Sequence, residues 1–155
     1  MEREKAFTFF MNTLDVHHEM TKPLCREMGI PQPAFSILMF LADNPEYDTA
    51  KDVGRFCALK PNIVSFNVEK LVLQGFLERR PVPEDRRSVG LVCTEKAKPF
   101  IERGRILCRK FTEILWDGVT EDEKDALRNC WEKMNQNLIQ YKNKERSEEK
   151  TDARA

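Results

Sequence analysis

The sequence predicts a mainly α-helical chain with one small β element. Apolar residues recur at alternating spacings of three and four over most of its length, which keeps them on one face of a helix. That period gives way to an alternation of two in only one region, residues 76–93. Proline and glycine mark the ends of most periodic stretches, as expected for helices that stop and restart.

Residues 4–28 read as the first helix, with Phe7, Met11, Leu14, His18, Thr21, Cys25 and Met28 on one stripe. Pro23 lies inside it and predicts a kink or break near Thr21-Lys22. Gly29 is its stop signal, with Pro31 just beyond. A second helix follows Pro33, with Phe35, Leu38, Met39 and Ala42 on its apolar face and Asp43-Asn44-Pro45 at its end. Thr49 opens a short third helix. Asp52 stands where a capping-box partner belongs, and Val53, Phe56 and Cys57 read as the inward face. Lys60-Pro61 starts a fourth helix, because proline is tolerated at the first helical position. Val64, Val68 and Leu71 face inward there, and Gly75 closes it.

The period then changes. Residues 76–80 and 88–93 read as strands, the second alternating Val89, Leu91 and Cys93 with Ser88, Gly90 and Val92. The stretch from Arg80 to Arg87 is rich in turn formers and charge, which makes a β-hairpin with a charged tip. Thr94 is the expected cap of a long fifth helix, whose start Pro99 shifts toward residue 98. In it Phe100, Leu107 and Ile114 repeat every seven residues, as do Ile101, Cys108 and Leu115. Gly118 ends this helix, and Thr120-Glu121-Asp122-Glu123 matches a full capping box that opens a sixth. Leu127, Trp131, Met134, Leu138 and Tyr141 then form a coiled-coil-like seam. Residues 142–155 are nearly all charged or polar and are expected to be frayed or disordered.

Three helices followed by a hairpin make a winged helix-turn-helix. The predicted fold class is therefore mainly α with a small β-wing, a winged helix-turn-helix flanked by long N- and C-terminal dimerisation helices. The expected boundaries are 1–34 for the N-terminal dimerisation helix and link, 35–94 for the winged DNA-binding domain, 95–141 for the C-terminal dimerisation helices, and 142–155 for the charged tail. The stripes of the first, fifth and sixth helices are too long to be buried in one winged domain, so a homodimer is expected.

Composition narrows the function. The 155 residues carry 26 basic and 26 acidic side chains, which excludes a globally basic or a uniformly acidic protein. Six glycines are few for a phosphate-cradling enzyme. The longest mostly apolar run, Ala34 to Ala42, is far short of the roughly 20 residues a membrane helix needs. The charged N-terminus has no apolar segment after it and reads as no signal peptide, so a cytoplasmic location is expected. Five cysteines at long spacings, with no C-x-x-C, argue against a disulfide framework and a structural zinc site. The two histidines, His17 and His18, are adjacent, which excludes mechanisms needing two separated ones. Glu84-Asp85 sit on a hydrated hairpin tip unsuited to acid–base work, and there is no nucleophile elbow. No enzyme, cofactor or metal is expected.

Charge is distributed unevenly. Residues 51–94 hold eight basic and five acidic side chains, a local excess of three positive charges in a neutral chain. If Val64, Val68 and Leu71 face inward, then Pro61, Asn62, Ser65, Phe66 and Glu69 face outward, with Lys60 at the helix start. Asn, Ser and Lys there can meet base edges and phosphates. Phe66 has two readings, contact with a thymine methyl or packing against the wing or second helix. Glu69 belongs away from a phosphate backbone. Arg80, Arg86 and Arg87 lie in or beside the hairpin tip, where an arginine suits a narrow minor groove. Asp85 can hold one of them extended. Phe10, His17, His18, Phe35 and Met39 are candidates for a small-molecule pocket between the winged domain and the dimer helices, with plain core packing as the other reading. His18 and Cys25 share a helix face, but too few ligands accompany them for a metal.

Two motifs carry a family resemblance. Asp85-Arg86-Arg87, then Leu91-Val92-Cys93-Thr94-Glu95-Lys96, resembles the wing signature of the MarR family of bacterial transcription regulators. Leu71-Val72-Leu73-Gln74-Gly75-Phe76-Leu77-Glu78-Arg79 resembles the family's recognition-helix end and first wing strand. The resemblance spans about residues 5–141. Cysteine replaces the usual leucine before Thr94, and Ala97 stands where glycine is common. The resemblance implies a homodimer that binds double-stranded, pseudo-palindromic DNA and acts on transcription, often as a repressor released by a small phenolic ligand, an oxidant or a metal. The hydroperoxide sensors of the family carry a cysteine near the start of the first helix, and residues 1–24 here have none. Two alternatives stay open, a winged-helix module that binds protein and a redox-responsive regulator that uses a cysteine.

Overall fold

The computed structural model describes residues 2–82 and 85–152, with side chains over 4–81 and 89–144. The elements run α1 (Glu2–Met28), α2 (Gln32–Asp43), α3 (Ala50–Phe56), α4 (Pro61–Leu73), β1 (Leu77–Val82), β2 (Asp85–Cys93), a 3₁₀ turn (Glu95–Ala97), α5 (Lys98–Leu115) and α6 (Glu121–Asp152). Residues 1–115 and 116–155 are separate compact units. The first contains a mainly α winged helix-turn-helix with a two-stranded antiparallel hairpin.

Within the first unit α2 is the central element, in contact with α1, α3, α4, α5 and β2. This follows from its composition, since eight of its residues are apolar and none is basic. Phe35, Ile37 and Leu38 are fully buried, together with Val53 of α3, Val64 and Leu71 of α4 and Leu77 of β1. Each such side chain contributes about 1.5–3 kcal/mol relative to exposure. Gly104 allows α5 to approach α2 closely. A Cβ there would lie 2.6 Å from Met39 Sδ and 3.1 Å from Phe35 Cζ.

Local devices set the helix limits. Thr49 and Asp52 form a reciprocal capping box on α3, with Asp52 N donating to Thr49 Oγ1 at 3.2 Å and Thr49 N donating to Asp52 Oδ2 at 3.3 Å. Thr120 and Glu123 do the same for α6. Gly75 takes φ +73° after α4, a conformation that costs glycine little.

α1 is continuous through Pro23, so the helix does not break near Thr21-Lys22. Its stripe changes character along its length. Phe7, Met11 and Leu14 are exposed, whereas Thr21, Cys25 and Met28 are buried. The Thr21 hydroxyl lies 2.8 Å from the His17 carbonyl oxygen and 2.9 Å from Gln32 Oε1, so this buried polar group is satisfied at the junction of α1 and α2. Phe56, expected on the inner face of α3, is 46% exposed. Seven residues give α3 fewer than two turns, and only Val53 reaches the core. Thr94 makes no side-chain cap. Its hydroxyl donates instead to the Gly75 carbonyl at 2.7 Å, tying the end of the wing to the turn after α4. The fifth helix does start at Lys98, as Pro99 implied.

In the second unit α6 continues as helix to Asp152, through the charged segment expected to be disordered. Lysine, glutamate and arginine are good helix formers, and they extend a helix already nucleated by the Thr120 capping box. The seam residues Leu127, Trp131, Met134, Leu138 and Tyr141 are all exposed in the single chain.

Candidate nucleic-acid interface

The α3–turn–α4 segment is set by short contacts. Leu59 N donates to the Gly54 carbonyl at 3.1 Å, and Ala58 between the helices takes φ +52°. A Cβ on Gly54 would lie 3.4 Å from the Leu59 carbonyl oxygen, so the turn folds back closely on α3 there. A cleft of about 390 Å³ opens between them, lined by Lys51, Gly54, Arg55, Leu59, Pro61 and Ser65 among others.

On α4, Val64, Asn67, Val68 and Leu71 are buried. Pro61, Asn62, Ser65, Phe66 and Glu69 are exposed, with Lys60 exposed at the N-cap. The outward face expected from periodicity is therefore the one presented. Phe66 is 65% exposed, which removes the reading in which it packs against the wing or α2. Asn67 is the exception to an apolar inner face. Its amide donates to the Ile63 carbonyl at 2.7 Å, while its Oδ1 is buried with no partner among the described residues.

Cations surround this face. Lys51 and Arg55 are exposed on α3, and the Arg55 guanidinium lies 5.2 Å from the centre of the Phe56 ring. Phe56 in turn stacks on Phe40 at 5.6 Å and meets Tyr47 at 4.5 Å, an aromatic group that helical periodicity did not reveal. Glu69 Oε2 accepts from Arg79 Nη2 at 2.6 Å, which neutralises the one carboxylate on the outer face of α4. Arg80 is exposed and lies 3.6 Å from Glu78. Among the described residues no ion pair holds Lys51 or Lys60.

The hairpin pairs Leu77 with Cys93 and Arg80 with Gly90. It is anchored to the start of α3, because Leu91 N donates to the Asp48 carbonyl at 2.8 Å and Thr49 bridges Gly90. The crossing is close at Gly90, where a Cβ would lie 2.8 Å from Asp48 Oδ2 and would push that carboxylate aside. One bridging residue carries no periodicity, so this third strand-like contact has no signature in the sequence. The side chains of Asp85, Arg86 and Arg87 lie outside the described residues.

The five pocket candidates differ in exposure. Phe35 and Met39 are buried together against Gly104. His17 is half-buried, edge-on to Phe111 at 5.3 Å between ring centres, whereas Phe10 and His18 are exposed. Burial, with a smaller contribution from His18, holds His17 below the ordinary histidine value. Burial likewise pushes the thiols of Cys25, Cys57, Cys93 and Cys108 up, which disfavours the reactive thiolate at all four. Among the described residues no cluster of three or more His, Cys, Asp or Glu is placed to hold a metal, and no helix is long and apolar enough to cross a membrane.

The comparisons agree with this architecture. Residues 28–88, which hold α2, α3, α4 and β1, match the model of the MarR family. A MarR transcriptional regulator from Methanosarcina mazei Go1 is similar at 20% identity and a TM-score of 0.70, over 88% of this chain and 98% of that one. A MarR/EmrR family transcriptional regulator from Acinetobacter sp. ADP1 is similar at 20% identity and a TM-score of 0.72, over 90% of this chain and 97% of that one. BpsR from Bordetella bronchiseptica is similar at 20% identity and a TM-score of 0.64, over 83% and 91%. Residues 28–88 thus resemble the MarR family, and the chain has the winged helix-turn-helix fold of these regulators.

Proposed function

We propose that the protein is a sequence-specific, double-stranded DNA-binding regulator of transcription that acts as a cytoplasmic homodimer, without enzymatic activity, and represses from a pseudo-palindromic operator. The observation that carries this reading is the exposed face of α4. Asn62, Ser65 and Phe66 stand outward there, with Lys60, Lys51 and Arg55 beside them and the wing hairpin following. An exposed helix of this kind enters a major groove, its N-terminal cations meet phosphates, and a basic hairpin tip enters the adjacent minor groove. Two such helices, one on each protomer, read half-sites about 10 base pairs apart. In BpsR, DNA binding is regulated by 6-hydroxynicotinic acid. By analogy this chain is released by a small aromatic acid, for which half-buried His17 is the donor we favour.

Arg87 tests the docking mode. Fluorescence anisotropy on the duplex upstream of the protein's own gene, at several salt concentrations, should show Arg87→Ala binding about 1–3 kcal/mol more weakly. Its salt dependence should be flatter by about one phosphate contact. Wild-type affinity and slope in that variant would mean that the wing does not touch DNA.

A further inference from the structure

The chemistry that α4 offers to a major groove is unusually apolar. From Pro61 to Glu69 the helix carries no lysine or arginine, and those are the side chains that read guanine through its O6 and N7. Glu69, which can accept from cytosine N4, is already engaged by Arg79 at 2.6 Å. Lys60 sits at the N-cap, where it serves phosphates, and Lys70 is half-buried one turn beyond Phe66. The largest side chain presented by the middle of the helix is Phe66, 65% exposed, with Ile63 38% exposed one turn before it. Ile63 and Phe66 are three residues apart and so share a helix face.

An exposed phenyl ring in water is unfavourable unless something apolar covers it. In a major groove the apolar group displayed is the C5 methyl of thymine. Asn62 lies one turn before Phe66 and can bond bidentately to adenine N6 and N7. We infer that this protein selects its operator through thymine methyl groups, with Phe66 as the residue that contacts the methyl and Asn62 reading an adenine in the same half-site. The inference rests on the DNA-binding reading above and adds to it the class of base that α4 recognises. It predicts operators whose half-site centres are A·T-rich and in which guanine contributes little.

The test uses the full-length protein and a duplex recovered by in vitro selection from a random pool. Each thymine of a half-site is replaced in turn, symmetrically in both half-sites, by deoxyuridine, which pairs identically and lacks only the methyl. Removing one buried methyl costs about fourfold in affinity, so a symmetric pair should cost about fifteenfold at the position that Phe66 contacts. In Phe66→Ala, whose fold is checked by its melting temperature, the thymine-to-uridine ratio at that position should fall to about one. A ratio of one at every thymine in the wild type overturns the methyl reading and leaves DNA binding intact. A wild-type ratio that persists in Phe66→Ala overturns the assignment to Phe66. A wild-type protein that recovers no duplex from the pool overturns both the DNA reading and this inference, and leaves the Phe66 face to a protein partner.

Discussion

His17 shows what one half-buried residue does to the behaviour of the chain. Its ring packs edge-on to Phe111, joining α1 to α5, and burial disfavours its charged form. Its value in the folded state therefore lies below the ordinary 6.5. Above that pH the ring is neutral in both states and contributes no pH dependence. As pH falls below 6.5 the unfolded chain takes the proton first, so the folded state loses stability until His17 is protonated within the fold as well. Urea unfolding at pH 7.5 and 5.5 should show lower stability at the acid end, and His17→Gln should show a smaller drop. An identical drop in the variant would place the titration elsewhere. The same scale explains why Phe66 could not be read with certainty from its spacing. Periodicity placed it on the outer face, but only its exposure in the folded chain separates an open ring from one covered by a neighbouring element.

Among the described residues, the turn between α3 and α4 holds the one non-glycine residue with a positive φ. Ala58 takes φ +52°, a conformation that costs a residue with a Cβ about 1–2 kcal/mol. Glycine avoids that cost but loses about 0.4–1 kcal/mol through the freedom of the unfolded chain. Ala58→Gly is therefore expected to stabilise the protein by up to about 1.6 kcal/mol in chemical denaturation, and a loss of stability would mean that the alanine methyl packs. Elements with a local chemical signature were legible in the sequence. Both capping boxes stand where the Thr-x-x-acid spacing put them, and Gly75 has the positive φ that its place after α4 required. Features that depend on a partner far along the chain were not. The Thr49–Gly90 bridge, the Gly104 contact with Phe35 and Met39, and the Thr94 bond to Gly75 each join segments 19 or more residues apart through one residue, which leaves no pattern. The helical end of α6 was missed for another reason. Charge density argues for disorder, while the helix propensity of the same residues argues for continuation.

At the scale of the whole molecule, apolar surface is left open at both ends of the chain. Phe7, Phe10, Met11 and Leu14 on α1 and Trp131, Met134, Leu138 and Tyr141 on α6 are all exposed. Soluble monomers rarely leave contiguous apolar stripes uncovered, and a second copy supplies a matching surface through two-fold symmetry. Assembly and DNA recognition are therefore expected to go together, with two chains presenting two α4 helices to one duplex. Sedimentation velocity of the full chain at micromolar concentration, alone and with the selected operator, measures both at once. The expected result is a dimer in the absence of DNA and a complex of two chains on one duplex in its presence. A monodisperse monomer that stays unchanged when the duplex is added would contradict the account.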